Sequence, residues 1–238
     1  MKRWQRWLIR IGLVVLMLSI IGFVALNRLT YGAERAALDV LEQPGVYTTR
    51  NLIRLEPEET AVANVVFYQG GLVETEAYLV FASVLRDKGY RVFLPKMPLN
   101  LAIIRRDAFS DIQTTYPSSK PWIAIGHSLG GATLSFIAED ATMDALIFLG
   151  AYPAESEDLR DLTIPVISLY GEYDTVLNRE AFETTRVLLP EQTRFIEIPG
   201  GNHAWFGHYG QQRGDGLATL TRAEQQQFVI DQITDLWE

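Results

Sequence analysis

The chain has 238 residues, of which 48% are hydrophobic and 21% are charged; this suits one globular domain and excludes a disordered or collagen-like protein. The first 33 residues carry a charge of +5 against −8 for the whole chain, so the body that follows is strongly acidic. An acidic body repels phosphate backbones, and we therefore expect no nucleic-acid partner. The absence of cysteine excludes disulfides, zinc–thiolate sites and iron–sulfur clusters.

The N-terminal segment combines basic residues with a long apolar run. Residues 11–26 are sixteen uncharged residues, and counting from Trp7 gives a helix of about 30 Å, the thickness of the hydrocarbon core. This pattern predicts an N-terminal signal anchor or transmembrane helix over residues 1–27 and a tether over 28–44. Four basic residues precede the run and Arg28 alone follows it, which places the N-terminus in the cytoplasm and the body outside. A cleaved signal peptide that releases a secreted body is the alternative.

Residues 45–238 alternate short apolar runs with amphipathic segments. Edge strands are predicted in 46–55, and buried strands at 61–68, 91–95, 122–125, 145–149, 166–170 and 194–198. Helices are predicted at 74–88, 103–116, 129–137 and 179–189, with a last helix that begins at the capping box of Thr221 and Glu224. The alternation predicts an α/β fold with a mostly parallel, doubly wound sheet and helices on both faces. Fourteen residues between Gly150 and Pro165 leave no room for a large lid.

A glycine-flanked serine follows the strand predicted at 122–125. The run Gly126-His127-Ser128-Leu129-Gly130 matches the Gly-x-Ser-x-Gly pattern and lies between a predicted strand and a predicted helix. That context favours a sharp turn that exposes a nucleophilic hydroxyl. Ser128 is therefore the candidate nucleophile, and the amide of Leu129 is a candidate oxyanion donor. A glycine-rich helix cap without chemistry is the alternative.

A serine nucleophile needs a base, and the chain has three histidines: His127, His203 and His208. His203 lies in the loop after the last predicted strand, where this architecture supplies such a base, whereas His208 is the alternative five residues on. Asp174 follows the strand before that one and is the candidate acid, with Glu172 as the alternative. The chain order Ser128, Asp174, His203, each after a separate strand, predicts a catalytic triad at the carboxyl edge of the sheet.

The loop after the strand at 61–68 offers a second oxyanion donor. It reads Gln69-Gly70-Gly71-Leu72, and its glycines allow the backbone to approach a substrate oxygen closely. The amide of Gly71 is the candidate, with that of Leu72 next, and a plain turn is the alternative. We expect an open, shallow pocket around these groups. Its predicted substrate-binding residues are Leu72, Tyr152 and Trp205, with Pro98 and Leu99 beside them.

These motifs resemble the α/β-hydrolase superfamily, and in particular its compact, lidless, dienelactone-hydrolase-like members. The resemblance covers roughly residues 60–238 and lies in 68–74, 126–131, 170–174 and the string from 201 to 215. It implies Ser128 as nucleophile, Asp174 as acid, His203 as base, and the amides of Gly71 and Leu129 as oxyanion donors. Two positions depart from the pattern, since dienelactone hydrolases proper have cysteine in place of Ser128 and relatives tend to have proline in place of Gln69.

The combined prediction is a membrane-anchored serine hydrolase. It would cleave an ester, thioester or related acyl bond of a small-molecule or lipid-like substrate through an acyl-enzyme. Three histidines on separate loops and no cysteine imply no metal and no cofactor. An inactive hydrolase fold that serves as a binding module of the cell envelope and an acyltransferase with the same triad are the alternatives. The sequence does not indicate an oligomeric state.

Overall fold

Eight strands form one sheet at the centre of the fold, as a computed structural model of residues 3–236 describes it. The strands are β1 (Val46–Thr48), β2 (Leu52–Leu55), β3 (Asn64–Tyr68), β4 (Arg91–Pro95), β5 (Trp122–His127), β6 (Ala145–Leu149), β7 (Val166–Gly171) and β8 (Arg194–Ile198). Their spatial order is β1-β2-β4-β3-β5-β6-β7-β8. Only the pairs β1–β2 and β2–β4 are antiparallel. The predicted α/β-hydrolase fold with a mostly parallel sheet is confirmed.

The central strands β3, β5 and β6 are buried along their whole length because both faces of the sheet are covered. In β3, Val65 and Phe67 belong to one core, while Val66 and Tyr68 belong to the core on the other face. This alternation follows from the two-residue repeat of a strand.

The described residues contain seven α-helices. They are α1 (Arg3–Leu29), α2 (Arg35–Leu38), α3 (Leu79–Asp87), α4 (Ala108–Thr115), α5 (Leu129–Ser135), α6 (Arg179–Thr185) and α7 (Arg222–Thr234). Residues of α3 and α7 pack in the first core, and residues of α4 and α5 pack in the second. The predicted capping box of Thr221 and Glu224 begins α7. The predicted helices at 74–88, 103–116 and 179–189 each combine an α-helix with a 3-10 turn, a common tightening at helix ends.

The strand register brings the loops of interest to one edge. Tyr68 of β3 pairs with Gly126 of β5, so the loop at Gln69 and the turn at Ser128 leave the sheet side by side. Between β5 and β6, His127 pairs with Leu149. The loops after β3, β5, β6, β7 and β8 therefore converge at the carboxyl edge of the parallel strands, which is where such sheets bind ligands.

The structure of the N-terminal segment contradicts the predicted membrane anchor. The apolar run at 11–26 lies within helix α1. Within residues 3–236, no helix is both long enough and apolar enough to cross a membrane. The predicted transmembrane helix, the membrane as a partner and the single-pass membrane location are therefore wrong; Lys2, part of the predicted orientation, lies outside the described residues.

The segment predicted as a tether packs on the domain. Ala37 and Val40 are buried in the first core. Tyr31 forms an isolated parallel bridge with Val73, in which the Tyr31 amide donates to the Leu72 carbonyl at 2.7 Å. This contact ties the chain after α1 to the loop that follows β3.

Candidate active site

Ser128 lies in the turn between β5 and α5. Its backbone has φ 51° and ψ −120°, a region that a residue with a Cβ occupies only at a cost of about 1–3 kcal/mol. The turn is tight, since a Cβ on Gly130 would lie 2.2 Å from the carbonyl oxygen of Tyr68. Ser128 remains partly exposed although His127 before it is buried. A strained strand–turn–helix with an accessible hydroxyl is the geometry that a nucleophilic serine requires.

Asp174 and His203 form a buried pair. His203 Nδ1 lies 2.8 Å from Asp174 Oδ2, and the two side chains are 1% and 0% exposed. The other carboxylate oxygen of Asp174 accepts hydrogen bonds from the amides of Val176 at 3.1 Å and Leu177 at 2.8 Å. Both oxygens are therefore held in place. Glu172, the alternative acid, accepts from the amide of Gly200 instead, at 2.8 Å.

Several contacts place the Ser128 turn against His203. The His127 and His203 ring centroids are 4.5 Å apart. The Ser128 amide donates to the carbonyl of Leu149 at 3.0 Å, and a Cβ on the next residue, Gly150, would lie 2.9 Å from His203 Nδ1. His203 Nε2 is buried and has no hydrogen-bond partner among the described residues, Ser128 included. Catalytic hydrogen bonds are often long before a substrate binds, so this nitrogen is the candidate acceptor for the Ser128 hydroxyl.

The two candidate oxyanion donors lie on adjoining loops. A Cβ on Gly71 would lie 3.1 Å from Leu129 Cδ2, so the two residues are packed together. Hydrogen bonds within residues 3–236 leave the amides of Gly71 and Leu129 without a partner. The amide of Leu72, the alternative donor, is occupied by the carbonyl of Asn100 at 2.8 Å. This arrangement favours the amide of Gly71 over that of Leu72 as the candidate oxyanion donor.

Gln69 organises the loop that carries Gly71. Its side chain is buried, its Nε2 donates to the Val73 carbonyl at 2.5 Å and to Asn100 Oδ1 at 3.2 Å, and its Oε1 accepts the Thr75 hydroxyl. Proline, which relatives tend to have here, could make none of these bonds. The sequence showed Gln69 only as a departure from a pattern, because its three partners are identified only by the folded loop.

The predicted substrate-binding residues occupy different surroundings. Leu72 is partly exposed on the loop beside Asn100. Tyr152 follows β6 and lines a small cavity together with Phe182 of α6. Trp205 is partly exposed, and its carbonyl accepts from Gln226 of α7 at 3.2 Å.

The end of the motif string at 201–215 joins the acid loop to the base loop, a role that the sequence analysis did not assign to it. Asp215 Oδ2 accepts from the Ala204 amide at 2.8 Å, and its Oδ1 accepts from the Thr175 amide at 3.4 Å. The Asn202 side chain donates to the Gly216 carbonyl at 2.9 Å. Burial raises the pKa of Asp215, and the nearby Asp174 carboxylate raises it further. The string up to residue 215 therefore positions the loops on which Asp174 and His203 lie.

His208, the alternative base, lies in a separate cluster. Its Nδ1 is 3.0 Å from Nη1 of Arg222 and 3.8 Å from a carboxylate oxygen of Glu34. Burial lowers the pKa of His208, and the Arg222 charge lowers it further. The acid Asp174 contacts His203, not His208.

The order of the strands and the loops at their carboxyl edge define a doubly wound α/β protein of the hydrolase type. The family described as the alpha/beta hydrolase family matches residues 64–227, more than half of the chain. This chain belongs to the alpha/beta hydrolase family. The resemblance seen in the sequence motifs is thus confirmed at the level of the superfamily.

Similar solved structures share the fold at low sequence identity. Dienelactone hydrolase from Anabaena variabilis is 16% identical with a TM-score of 0.59, over 82% of this chain and 99% of that chain. MenH from S. aureus is 13% identical with a TM-score of 0.59, over 80% and 100%. Acyl-protein thioesterase 2 from Zea mays is 13% identical with a TM-score of 0.58, over 80% and 99%. No protein of curated function matches the sequence.

Proposed function

We propose that the protein is a serine hydrolase that cleaves an ester, thioester or related acyl bond through Ser128, Asp174 and His203. The observation that carries this proposal is the buried Asp174–His203 pair: its Nε2 has no hydrogen-bond partner within residues 3–236, and its ring lies 4.5 Å from that of His127, the residue before the strained Ser128 turn. The names of two similar structures, a dienelactone hydrolase and an acyl-protein thioesterase, support an acyl bond as the target.

The acid–base pair supplies the activation that serine needs. The ionised carboxylate of Asp174 accepts the Nδ1–H of His203, which leaves Nε2 as the unprotonated acceptor. As Ser128 Oγ attacks the acyl carbon, Nε2 takes the hydroxyl proton and the imidazolium is stabilised by the carboxylate. His203 then returns this proton to the departing alcohol or thiol, and an acyl-enzyme remains. Water deacylates Ser128 by the same steps.

The paired backbone amides supply the second requirement. Attack turns the carbonyl oxygen into an oxyanion, and two N–H groups fixed in advance stabilise that charge more than they stabilise the substrate. The free amides of Gly71 and Leu129 are the donors on the adjoining loops. Removal of one such donor in other enzymes costs about 10²–10³ in kcat.

A fluorophosphonate probe tests the proposal without knowledge of the natural substrate, because it reacts with an activated serine. We expect wild-type protein to be labelled and Ser128→Ala to lose labelling completely. Ser110→Ala, which removes an exposed serine of α4, is the matched control and should label at the wild-type rate. Mass spectrometry of the labelled peptide identifies the modified residue.

Two results would contradict this function. Labelling that persists in Ser128→Ala would mean that another residue is the nucleophile. A folded wild-type protein that is not labelled would favour the inactive binding module. Turnover of short and long nitrophenyl esters by the labelled protein then defines the length of the acyl group.

A further inference from the structure

His127 is a buried titratable side chain that the proposed mechanism does not use. It is the last residue of β5, directly before Ser128, and is 1% exposed. Its Nδ1 lies 2.8 Å from the hydroxyl of Tyr78, and its ring centroid lies 4.5 Å from that of His203 and 5.3 Å from that of Phe206. It therefore sits between the oxyanion loop and the base.

The directions of the hydrogen bonds around Tyr78 follow from its donors and acceptors. The Gly70 amide donates to the Tyr78 hydroxyl oxygen at 3.0 Å. No other acceptor for the Tyr78 hydroxyl hydrogen is found within residues 3–236, so this hydrogen is directed to His127 Nδ1, and a neutral His127 then carries its proton on Nε2. The result is a chain of two bonds from Gly70 through Tyr78 to His127.

The surroundings of His127 keep this acceptor available. Burial lowers the pKa of His127 well below its usual value, and the neighbouring His203 lowers it further. Burial likewise raises the pKa of Tyr78, so its hydroxyl keeps its hydrogen. Both bonds therefore persist at neutral pH.

Gly70 is held against both side chains. A Cβ on Gly70 would lie 2.9 Å from His127 Nδ1 and 3.0 Å from the Tyr78 hydroxyl. The Gly70 amide is thus fixed toward the interior of the fold, and the next amide in the chain, that of Gly71, is left without a partner beside Leu129. The orientation of one peptide plane limits the orientation of the next.

We propose that Tyr78 and His127 are positioning residues that hold the Gly70–Gly71 turn in the shape in which the Gly71 amide stabilises an oxyanion. This inference rests on the proposed serine-hydrolase function. Neither side chain touches the substrate in this proposal. They connect the oxyanion loop after β3 to the strand that carries the nucleophile.

The test compares two buried tyrosine hydroxyls. Tyr78→Phe removes the hydroxyl and keeps the ring that packs on Phe67 at 4.7 Å. Tyr68→Phe is the matched control, because the Tyr68 hydroxyl is also bonded to the backbone, donating to the Arg106 carbonyl at 2.8 Å and accepting from the Phe109 amide at 2.8 Å, in the core on the other face of the sheet. Thermal unfolding of each variant shows whether the two changes cost similar stability.

The readout is the second-order rate constant of fluorophosphonate labelling, because the phosphonyl oxygen occupies the oxyanion position during the reaction. We expect a fall of about 10- to 100-fold in Tyr78→Phe and less than threefold in Tyr68→Phe. We also expect the inhibition constant of a boronic acid, which forms a tetrahedral adduct, to rise by the same factor as the labelling rate falls. Equal labelling rates in the two folded variants would overturn the proposal.

A second pair of variants serves if Tyr78→Phe does not fold. His127→Asn places an amide acceptor near the position of Nδ1, whereas His127→Leu removes the acceptor and keeps an apolar side chain. We expect labelling to be at least fivefold faster in the Asn variant, and equal rates would overturn the proposal. Absence of labelling in wild-type protein is a different result, since it would contradict the serine-hydrolase function itself.

Discussion

Ser128 is one of four described residues other than glycine that have a positive φ. Among the described residues that are not glycine, positive φ values occur at Leu72 (56°), Leu99 (55°), Asn100 (55°) and Ser128 (51°). Leu72 and Asn100 are joined by a backbone hydrogen bond, and Leu72 follows the candidate oxyanion donor Gly71. Such conformations cost about 1–3 kcal/mol each and persist only where surrounding contacts require them. Their grouping at one edge of the sheet supports a functional role for that edge.

His127 gives a prediction about stability and pH. The unfolded chain binds a proton on this residue below the ordinary pKa of 6.5, but folded His127 does not until a much lower pH. The unfolding free energy should therefore fall as pH decreases below about 6.5, by up to 1.4 kcal/mol per pH unit from this residue. Urea unfolding at pH 7.5, 6.0 and 5.0 measures the slope.

The His127→Asn variant lacks the contribution of His127 to the pH dependence of stability. The unfolding free energy of this variant should therefore fall less steeply between pH 6.0 and 5.0 than that of the wild type. His208, whose pKa is also lowered by burial, contributes with the same sign in both proteins and cancels in the comparison. Identical slopes would contradict the assignment of a neutral, buried His127.

At the scale of elements, the candidate site depends on loops that are bonded to one another. The acid loop after β7 and the base loop after β8 both donate backbone amides to Asp215, which lies farther along the connection between β8 and α7. The oxyanion loop after β3 is held by Gln69 from within and by Asn100 of the loop after β4. The end of each strand thus brings a candidate reactive group to the edge of the sheet. The hydrogen bonds between the loops then fix the position of that group.

Asp215→Asn tests this bracing of the two loops. An asparagine has one acceptor oxygen in place of two, so either the Ala204 amide or the Thr175 amide loses its bond and faces an N–H group. We expect the labelling rate to fall about 10- to 100-fold, since a shift of about 1 Å in a reacting group has an effect of that size. Asp161→Asn, at an exposed position before β7, is the control. A labelling rate equal to that of the control would show that the bracing is not needed.

At the scale of the whole molecule, the chain after α1 closes against the C-terminal helix. Arg222, at the start of α7, forms an ion pair with Glu34 and lies 3.0 Å from His208 Nδ1. The Glu34 amide donates to the His208 carbonyl at 2.8 Å. Tyr31 in the same segment bonds to the loop after β3 and to the amide of Arg213. The segment therefore connects the oxyanion side of the site to the base side from outside the matched family region.

A double-mutant cycle measures how strongly these distant parts are coupled. Glu34→Gln and Arg222→Gln should each lower the unfolding free energy, and the cycle should give a coupling of about 0.5–1 kcal/mol because the pair is only partly buried. Urea unfolding at low and at high salt provides the measurement, and high salt should reduce the coupling. Strictly additive single changes would contradict the ion pair.

The pattern of apolar and polar residues along the chain was sufficient to predict the architecture of the fold. Runs such as 145–149 and 194–198 are strands with those bounds, and the capping box at Thr221 begins α7, because both signals are local and repeat with the period of the element. The strand–turn–helix around Ser128 was predictable for the same reason. The predicted anchor is the part of the sequence analysis that is wrong, since no helix within residues 3–236 is long enough and apolar enough to cross a membrane.

Local sequence alone therefore determined the α/β sheet, its order of strands and helices, and the candidate residues Ser128, Asp174 and His203. Only the tertiary structure decided their partners. Asp174 is distinguished from Glu172 by its contact with His203, and Tyr78 and Asp215 lie 49 and 11 residues from the partners they bind, His127 and Ala204. A hydrogen bond between distant positions leaves no periodic trace in a sequence, because it depends on where two loops meet after the strands have paired.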